Sequence, residues 1–382
     1  MFKKVILTGT ISLISHTAWA ESGVASNPET KMIMNEIFES IATLLPLSLN
    51  DKSFYDAKNK DNIQGRLDSL VGSAKKLKSH GKVQDEGFRF VSRNLEQDAT
   101  DARNWFKEGR QDEARYMLHN ITENCISCHT KQESKSDFPG VSKFFSKVDI
   151  QQLAPIDRAR LLMAMRQFDD AMNAFEDIIL KGGMSPSDLI FLDAFTDYLK
   201  LTVRVKRNYE RALQTLQKFA ANSKLPKFVQ TQMEDWTSAL KELSKSKSGS
   251  TKDLALARQW MSKAQGQMKY PRDRDGMVYY IAASGALNAA LADGKLSADE
   301  KSEIYFRLGF VEEVIGRSFW VSQSSNMLES AIRVAPKSKF ALDAYNLLEE
   351  YVYLDYSGSS GTDIPQDIQD NLVELKKLIE GK

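Results

Sequence analysis

The chain has 382 residues, 52 basic and 51 acidic side chains, a net charge of +1 and 42% hydrophobic residues. So even a charge balance argues against nucleic acid as a partner, and the length is sufficient for two domains. Nine prolines in the whole chain and a shortage of alternating β-branched runs predict an all-α protein.

Residues Met1–Ala20 read as a secretory signal cleaved after Ala20. Lys3 and Lys4 supply the positive start, Val5–Ile14 the apolar core and Ala18-Trp19-Ala20 the small-x-small site. The mature protein is therefore expected in the periplasm. Losing those two lysines takes the 52 basic residues to 50, against 51 acidic. The longest later apolar stretch, Tyr279–Ala292, spans 14 residues and includes Ser284 and Asn288. It is too short and too polar to cross a bilayer, so a membrane-spanning chain is not expected.

Four helices are predicted next. The first covers about Glu29–Leu45, with Met34, Ile37, Ile41 and Leu44 on one face, and is stopped by Pro46. The second, about Asn62–Ser79, directs Ile63, Leu67, Leu70, Ala74 and Leu77 inward and ends before Gly81. The third, about Asp85–Lys107, buries Phe88, Val91, Leu95, Ala102, Trp105 and Phe106, and Gly109 marks a tight turn. The fourth begins near Gln111 and carries Ala114, Met117, Leu118, Ile121, Cys125 and Cys128 along one stripe.

That fourth helix ends in Cys125-Ile126-Ser127-Cys128-His129. Cys-x-x-Cys-His is the c-type haem attachment pattern: each thiol bonds a haem vinyl group, and the adjoining imidazole becomes the proximal iron ligand. By chance, two cysteines and four histidines would fall into this arrangement about once in 20,000 such chains. A structural zinc site needs four protein ligands, and this cluster offers three. A thioredoxin-type pair belongs beside a βαβ pattern, whereas the periodicity here is helical. A disulfide closing so small a loop would constrain little. The reading is one covalent haem c attached at Cys125 and Cys128, with His129 on the iron. The thiols and the imidazole share one face, so a porphyrin is expected between this helix and the rest of its bundle.

With these residues in place, Glu29 to about Lys131 resembles the cytochrome c-prime and c-556 family, over a little more than a quarter of the chain. The resemblance implies a haem-binding four-helix bundle over residues 21–132, with a distal residue near the start of the first helix. A methionine there gives a six-coordinate electron carrier, and an apolar residue leaves an open site for small gases. Met34 shares the inward stripe, whereas Met32 lies about 160° away, so Met34 is the candidate distal ligand. The alternative is a methionine that only packs the core. His119, ten residues before His129 and so about 15 Å along the same helix, cannot reach that iron. His80 suits the negative end of the second helix. Arg66, Arg89, Arg93, Arg103 and Arg115 are candidate propionate partners, and Trp105 and Phe106 candidate pocket walls.

Residues 133–155, with Ser134, Ser136, Pro139 and Gly140, read as a linker. Beyond it, Phe168, Ala171 and Phe175 set a pattern that Tyr209, Ala212 and Leu216 repeat, and Leu308-Gly309 with Ala341, Ala344 and Leu348 echo it. On this pattern residues 156–382 resemble tetratricopeptide repeats. The spacing from Phe168 to Tyr209 departs from the regular period of about 34 residues, and Ser244–Thr251 interrupts as a linker. The resemblance implies a degenerate array of helical hairpins with a concave surface for a protein partner. Tyr351–Gly361 read as a loop, followed by a last helix from about Pro365 to Ile379.

These readings predict a periplasmic mono-haem cytochrome that moves one electron through a haem ligated by His129 and Met34, with the repeats docking a redox or scaffold partner. A five-coordinate gas binder or sensor, and a repeat scaffold with a structural haem, are the alternatives. No further His, Cys or paired-carboxylate cluster suggests a catalytic pocket, so a carrier or binding protein is expected rather than an enzyme.

Overall fold

A computed structural model describes residues 28–49, 51–80, 86–131, 145, 150–181, 194–221, 225–245, 253–269, 273–292, 296–316 and 323–381. The signal segment, Gly81, and most of residues 133–155 and of the Ser244–Thr251 interruption lie outside them. Among the described residues the regular structure is almost wholly helical, with sixteen α-helices and one minimal strand pair. The chain is all-α, as its composition and periodicity predict.

The first half holds α1 (Pro28–Leu49), the short α2 (Asp51–Tyr55), α3 (Lys60–His80), α4 (Glu86–Lys107) and α5 (Gln111–His129). Cross-links between neighbours fix their directions. Thr30 meets His80 at 2.7 Å while Ser73 donates to Glu36 at 2.9 Å, so α1 and α3 run antiparallel. Lys78 pairs with Glu96 and Lys107 with Asp68, which does the same for α3 and α4. Gly109, at φ +82° where a side chain would be strained, turns α4 into α5. Arg115 and His119 both bond the carbonyl of Ser48, closing α5 back onto α1. The result is an antiparallel bundle whose core includes Ile37, Ile41, Leu44, Ile63, Leu67 and Leu70.

Pro46 does not stop α1, which continues to Leu49 with the proline inside it. Pro46 removes the bond to the Ala42 carbonyl and crowds it, yet the helix goes on for another turn. The extra turn buries Ser48, and its otherwise orphaned carbonyl is met by Arg115 and His119. Of the inward residues expected on α4, Val91, Leu95, Ala102 and Phe106 are buried, whereas Phe88 and Trp105 are half-buried at the edge of the core.

The second half runs through α6 (Pro155–Ala164), α7 (Phe168–Lys181), α8 (Ala194–Leu199) with its π-helical continuation Lys200–Val205, α9 (Tyr209–Ala220), α10 (Lys227–Lys245), α11 (Asp253–Gln267), α12 (Met277–Ala292), α13 (Ala298–Ile315), α14 (Ser324–Val334), α15 (Lys339–Asp355) and α16 (Gln366–Glu380). Consecutive helices pack as hairpins, α6 on α7, α9 on α10, α11 on α12 and α13 on α14. Two of the hairpin turns repeat: Arg166 (φ 61°) stands two residues before Phe168, and Arg207 (φ 49°) two before Tyr209. Left-handed backbone at a non-glycine residue is uncommon, so its recurrence at matching positions marks one structural unit used twice. Phe168, Ala171, Phe175, Ala212 and Leu216 are all buried. Gly309 brings α13 against α14, where an added Cβ would come within 2.7 Å of Leu328.

Helix α12 is apolar on nearly every face and runs through the middle of the second core, with Val278, Tyr280, Ile281, Ala283 and Leu287 at or near zero exposure. Among the described residues, no helix is long and apolar enough to cross a membrane. The glycine-rich tail forms a tight hairpin, Ser357–Gly358 against Gly361–Thr362, before α16.

Described residues tie the two halves together. Phe145 and Ile150, from the expected linker, pack against both cores. Ile126 of α5 belongs to the second core, while Leu161 and Met165 of the second half belong to the first. Farther on, Arg93 of α4 donates to Asn326 of α14 at 3.1 Å, so the array also returns to the bundle.

Candidate functional site

The Cys-x-x-Cys-His sequence occupies the last two turns of α5. Earlier in that helix Ala114, Met117, Leu118 and Ile121 feed the bundle core. At the motif the helix changes partner: Ile126 is 4% exposed within the second core, and Cys125 packs against that core too. The expectation that the motif faces the bundle interior is corrected here. The last turns of α5 meet α6, and the apolar stripe is shared between two cores.

Both cysteines are half-buried thiols rather than a disulfide. Burial, helped by the nearby Cys128, pushes the Cys125 thiol up to about 12. His129 lies with Nδ1 2.8 Å from the carbonyl of Ala164, the last residue of α6. A carbonyl only accepts, so Nδ1 carries the proton and Nε2 keeps its lone pair. Burial holds the imidazole down to about 4, with the Ala164 bond opposing and Arg166 assisting, so the ring is neutral at physiological pH.

This donor set fits a c-type haem. A metal-bound imidazole characteristically donates its other N–H to a carbonyl or carboxylate, which fixes ring orientation and tautomer; Ala164 supplies that acceptor. Among the described residues, no three or more His, Cys, Asp and Glu side chains are gathered as a metal-ion site. Covalent haem needs no such gathering, because the thiols bind the porphyrin edge and the imidazole alone reaches iron.

Immediately after His129, Thr130 closes α5. Its N–H and Oγ1 both donate to the Ile126 carbonyl, at 3.0 and 2.9 Å. Thr130 Oγ1 accepts from Arg204 Nη2 at 3.0 Å. Arg204 belongs to the π-helical segment and is 4% exposed. Its Nη1 donates to Ser284 on α12 at 2.9 Å and meets Glu312 on α13 at 3.2 Å, while its Nε has no hydrogen-bond partner. Burial pulls this guanidinium below its ordinary range against the attraction of Glu312, yet from so high a starting value it stays charged at neutral pH. On the bundle side, buried Asn124 donates to Asp98 at 2.6 Å beside the first thiol.

Met34 and His129 lie toward the same end of the bundle. Ser48 of α1 is bonded to Arg115 of α5, and both residues of interest lie fourteen positions away along antiparallel helices. An equal climb of about 21 Å carries them to one end of the bundle. Met34 is half-buried against the first core, while Cys125 packs against the second. Met32 is 56% exposed. His80 has its two ring nitrogens at Thr30 and Glu29, and His119, in the middle of α5, bonds the Ser48 carbonyl.

Three of the five expected propionate partners are engaged elsewhere or far away. Arg93 reaches Asn326, Arg103 bonds Asn104, and Arg115 lies about 21 Å along α5 from His129. Trp105 and Phe106 pack in the first core toward the Gly109 end of the α4–α5 hairpin, seven and eight residues along α4 from the Asp98 that Asn124 bonds, about 11–12 Å from the level of the motif. The residues the sequence reading missed are Ala164, Arg166 and Arg204. Only Arg204 leaves a sequence trace, a charge inside the apolar run Leu199–Val205. Comparison with protein-family models, curated proteins and solved structures found no match.

Proposed function

We propose that the chain is an exported, periplasmic c-type cytochrome of the c-prime kind, carrying one haem at Cys125 and Cys128 and transferring single electrons. The observation that carries this reading is the bond from His129 Nδ1–H to the Ala164 carbonyl, which prepares Nε2 of the attachment motif's own histidine as a ligand. The haem would supply reversible one-electron oxidation and reduction of iron. Cys125 and Cys128 would hold its edge and His129 its iron, while the carbonyl of Ala164 orients the imidazole and the apolar residues around Ile126 keep water away. Met34, on the inward stripe of α1 toward the same end of the bundle, is the proposed distal ligand. The hairpins of the second half, read as degenerate tetratricopeptide-like repeats, would dock a redox or scaffold protein.

A second reading, a five-coordinate gas binder, draws on Met34's packing within the first core while the motif faces the second. Optical spectra of the exported protein, ferric and dithionite-reduced, with and without carbon monoxide, decide between them. Electron transfer predicts a low-spin spectrum unmoved by carbon monoxide in the native protein and a carbon-monoxide-sensitive one in Met34→Ala. A native ferrous protein that is high-spin and binds carbon monoxide overturns Met34 ligation.

A further inference from the structure

Resting on the haem reading, we infer that Arg204 and Glu312, two residues of the helical-hairpin half, set the reduction potential of the site on α5. The geometry is a direct chain. His129 is followed by Thr130, Thr130 Oγ1 accepts from Arg204 at 3.0 Å, and Arg204 meets Glu312 at 3.2 Å. The guanidinium lies at the C-terminal end of α5, where the helix dipole is negative and four carbonyls lack helical partners. Its side chain is 3% exposed and that of Glu312 16%, so solvent screens neither well.

A buried cation beside an iron ligand disfavours the ferric state, which carries one more positive charge than the ferrous. A carboxylate does the reverse. Two opposite charges at slightly different positions therefore leave a net field, and removing either exposes the other. A unit charge acting over about two helical turns, roughly 11 Å, through an interior of effective dielectric about 20 changes an equilibrium roughly tenfold. For one electron a tenfold change is about 59 mV. The pair also joins α5 to α12 and α13 through Ser284 and Glu312, so a partner seated on the array and shifting α13 would move the same potential.

The experiment is redox titration of full-length haem-loaded protein, with covalent haem content and circular dichroism measured alongside. Arg204→Met should lower the potential by about 59 mV, Glu312→Gln should raise it by a similar amount, and Arg204→Lys, which keeps the charge, should stay close to the native value. Shifts of the two neutralising variants in the same direction, or potentials equal to the native one, overturn the inference while leaving the haem reading intact. Should Arg204→Met not fold, an unshifted Glu312→Gln overturns it alone. A native protein without covalent haem overturns the underlying reading and this inference with it.

Discussion

Thr130→Val isolates the joint between the haem motif and the second half. Valine matches threonine in shape but removes Oγ1, which accepts from Arg204 at 3.0 Å and donates to Ile126 at 2.9 Å. The Ile126 carbonyl keeps the Thr130 N–H at 3.0 Å, so the lasting loss is the acceptor for a buried cation. Hydrogen bonds to charged groups contribute about 1.5–3 kcal/mol, and the added buried methyl returns about 0.8 kcal/mol. The net destabilisation is about 1–2 kcal/mol, roughly 5- to 30-fold in the folding equilibrium. Urea unfolding followed by circular dichroism and tryptophan fluorescence measures it, with Thr130→Ser as the variant that keeps the hydroxyl and should lose only the buried methyl, about 0.8 kcal/mol. A native midpoint for Thr130→Val, or an equal loss for Thr130→Ser, would refute the reasoning.

Three further outcomes follow from particular contacts. Gly309→Ala should destabilise by about 1–2 kcal/mol in thermal or urea unfolding, since its Cβ would meet Leu328 at 2.7 Å and overpacking exceeds the gain in helix propensity. Gly65→Ala on α3, where nothing lies within 4 Å, should instead stabilise by about 0.5–1 kcal/mol. Burial would raise the Glu303 carboxyl, but hydrogen bonds from Arg258 and Arg307 outweigh it and hold the group below its usual range. Its stabilisation is therefore complete above the unfolded carboxylate value and is lost as pH falls through the lower folded one. Glu303→Gln should accordingly flatten the stability profile below about pH 4.5, and an unchanged acid limb would contradict that assignment.

The helices of the first half were legible because one buried face repeats every 3.6 residues: Ile63, Leu67, Leu70, Ala74 and Leu77 of α3 are all buried as the pattern requires. The same rule misled at the end of α5. A stripe says that a face is buried but not against what, and there the partner changes from α1 and α4 to the second half. Pro46 misled because the cost of a proline inside a helix is local, whereas the turn beyond it is held by bonds from Arg115 and His119 to the Ser48 carbonyl. Cys125, Cys128 and His129 stand out in the sequence because the attachment chemistry proposed for them fixes their spacing. Ala164 was not, because it acts through a backbone carbonyl that any residue could provide. Arg204 lies 75 positions beyond His129, and only the fold brings it to Thr130.

The most direct test of the central claim is mass spectrometry of the exported, purified protein and of its tryptic peptide containing Cys125, Cys128 and His129. The account predicts an intact mass increased by one haem that survives acid–acetone extraction, with the increment on that peptide, and its loss in the Cys125→Ala, Cys128→Ala double variant. A protein with the mass of its polypeptide alone, and thiols that react freely with a maleimide after unfolding, would contradict it.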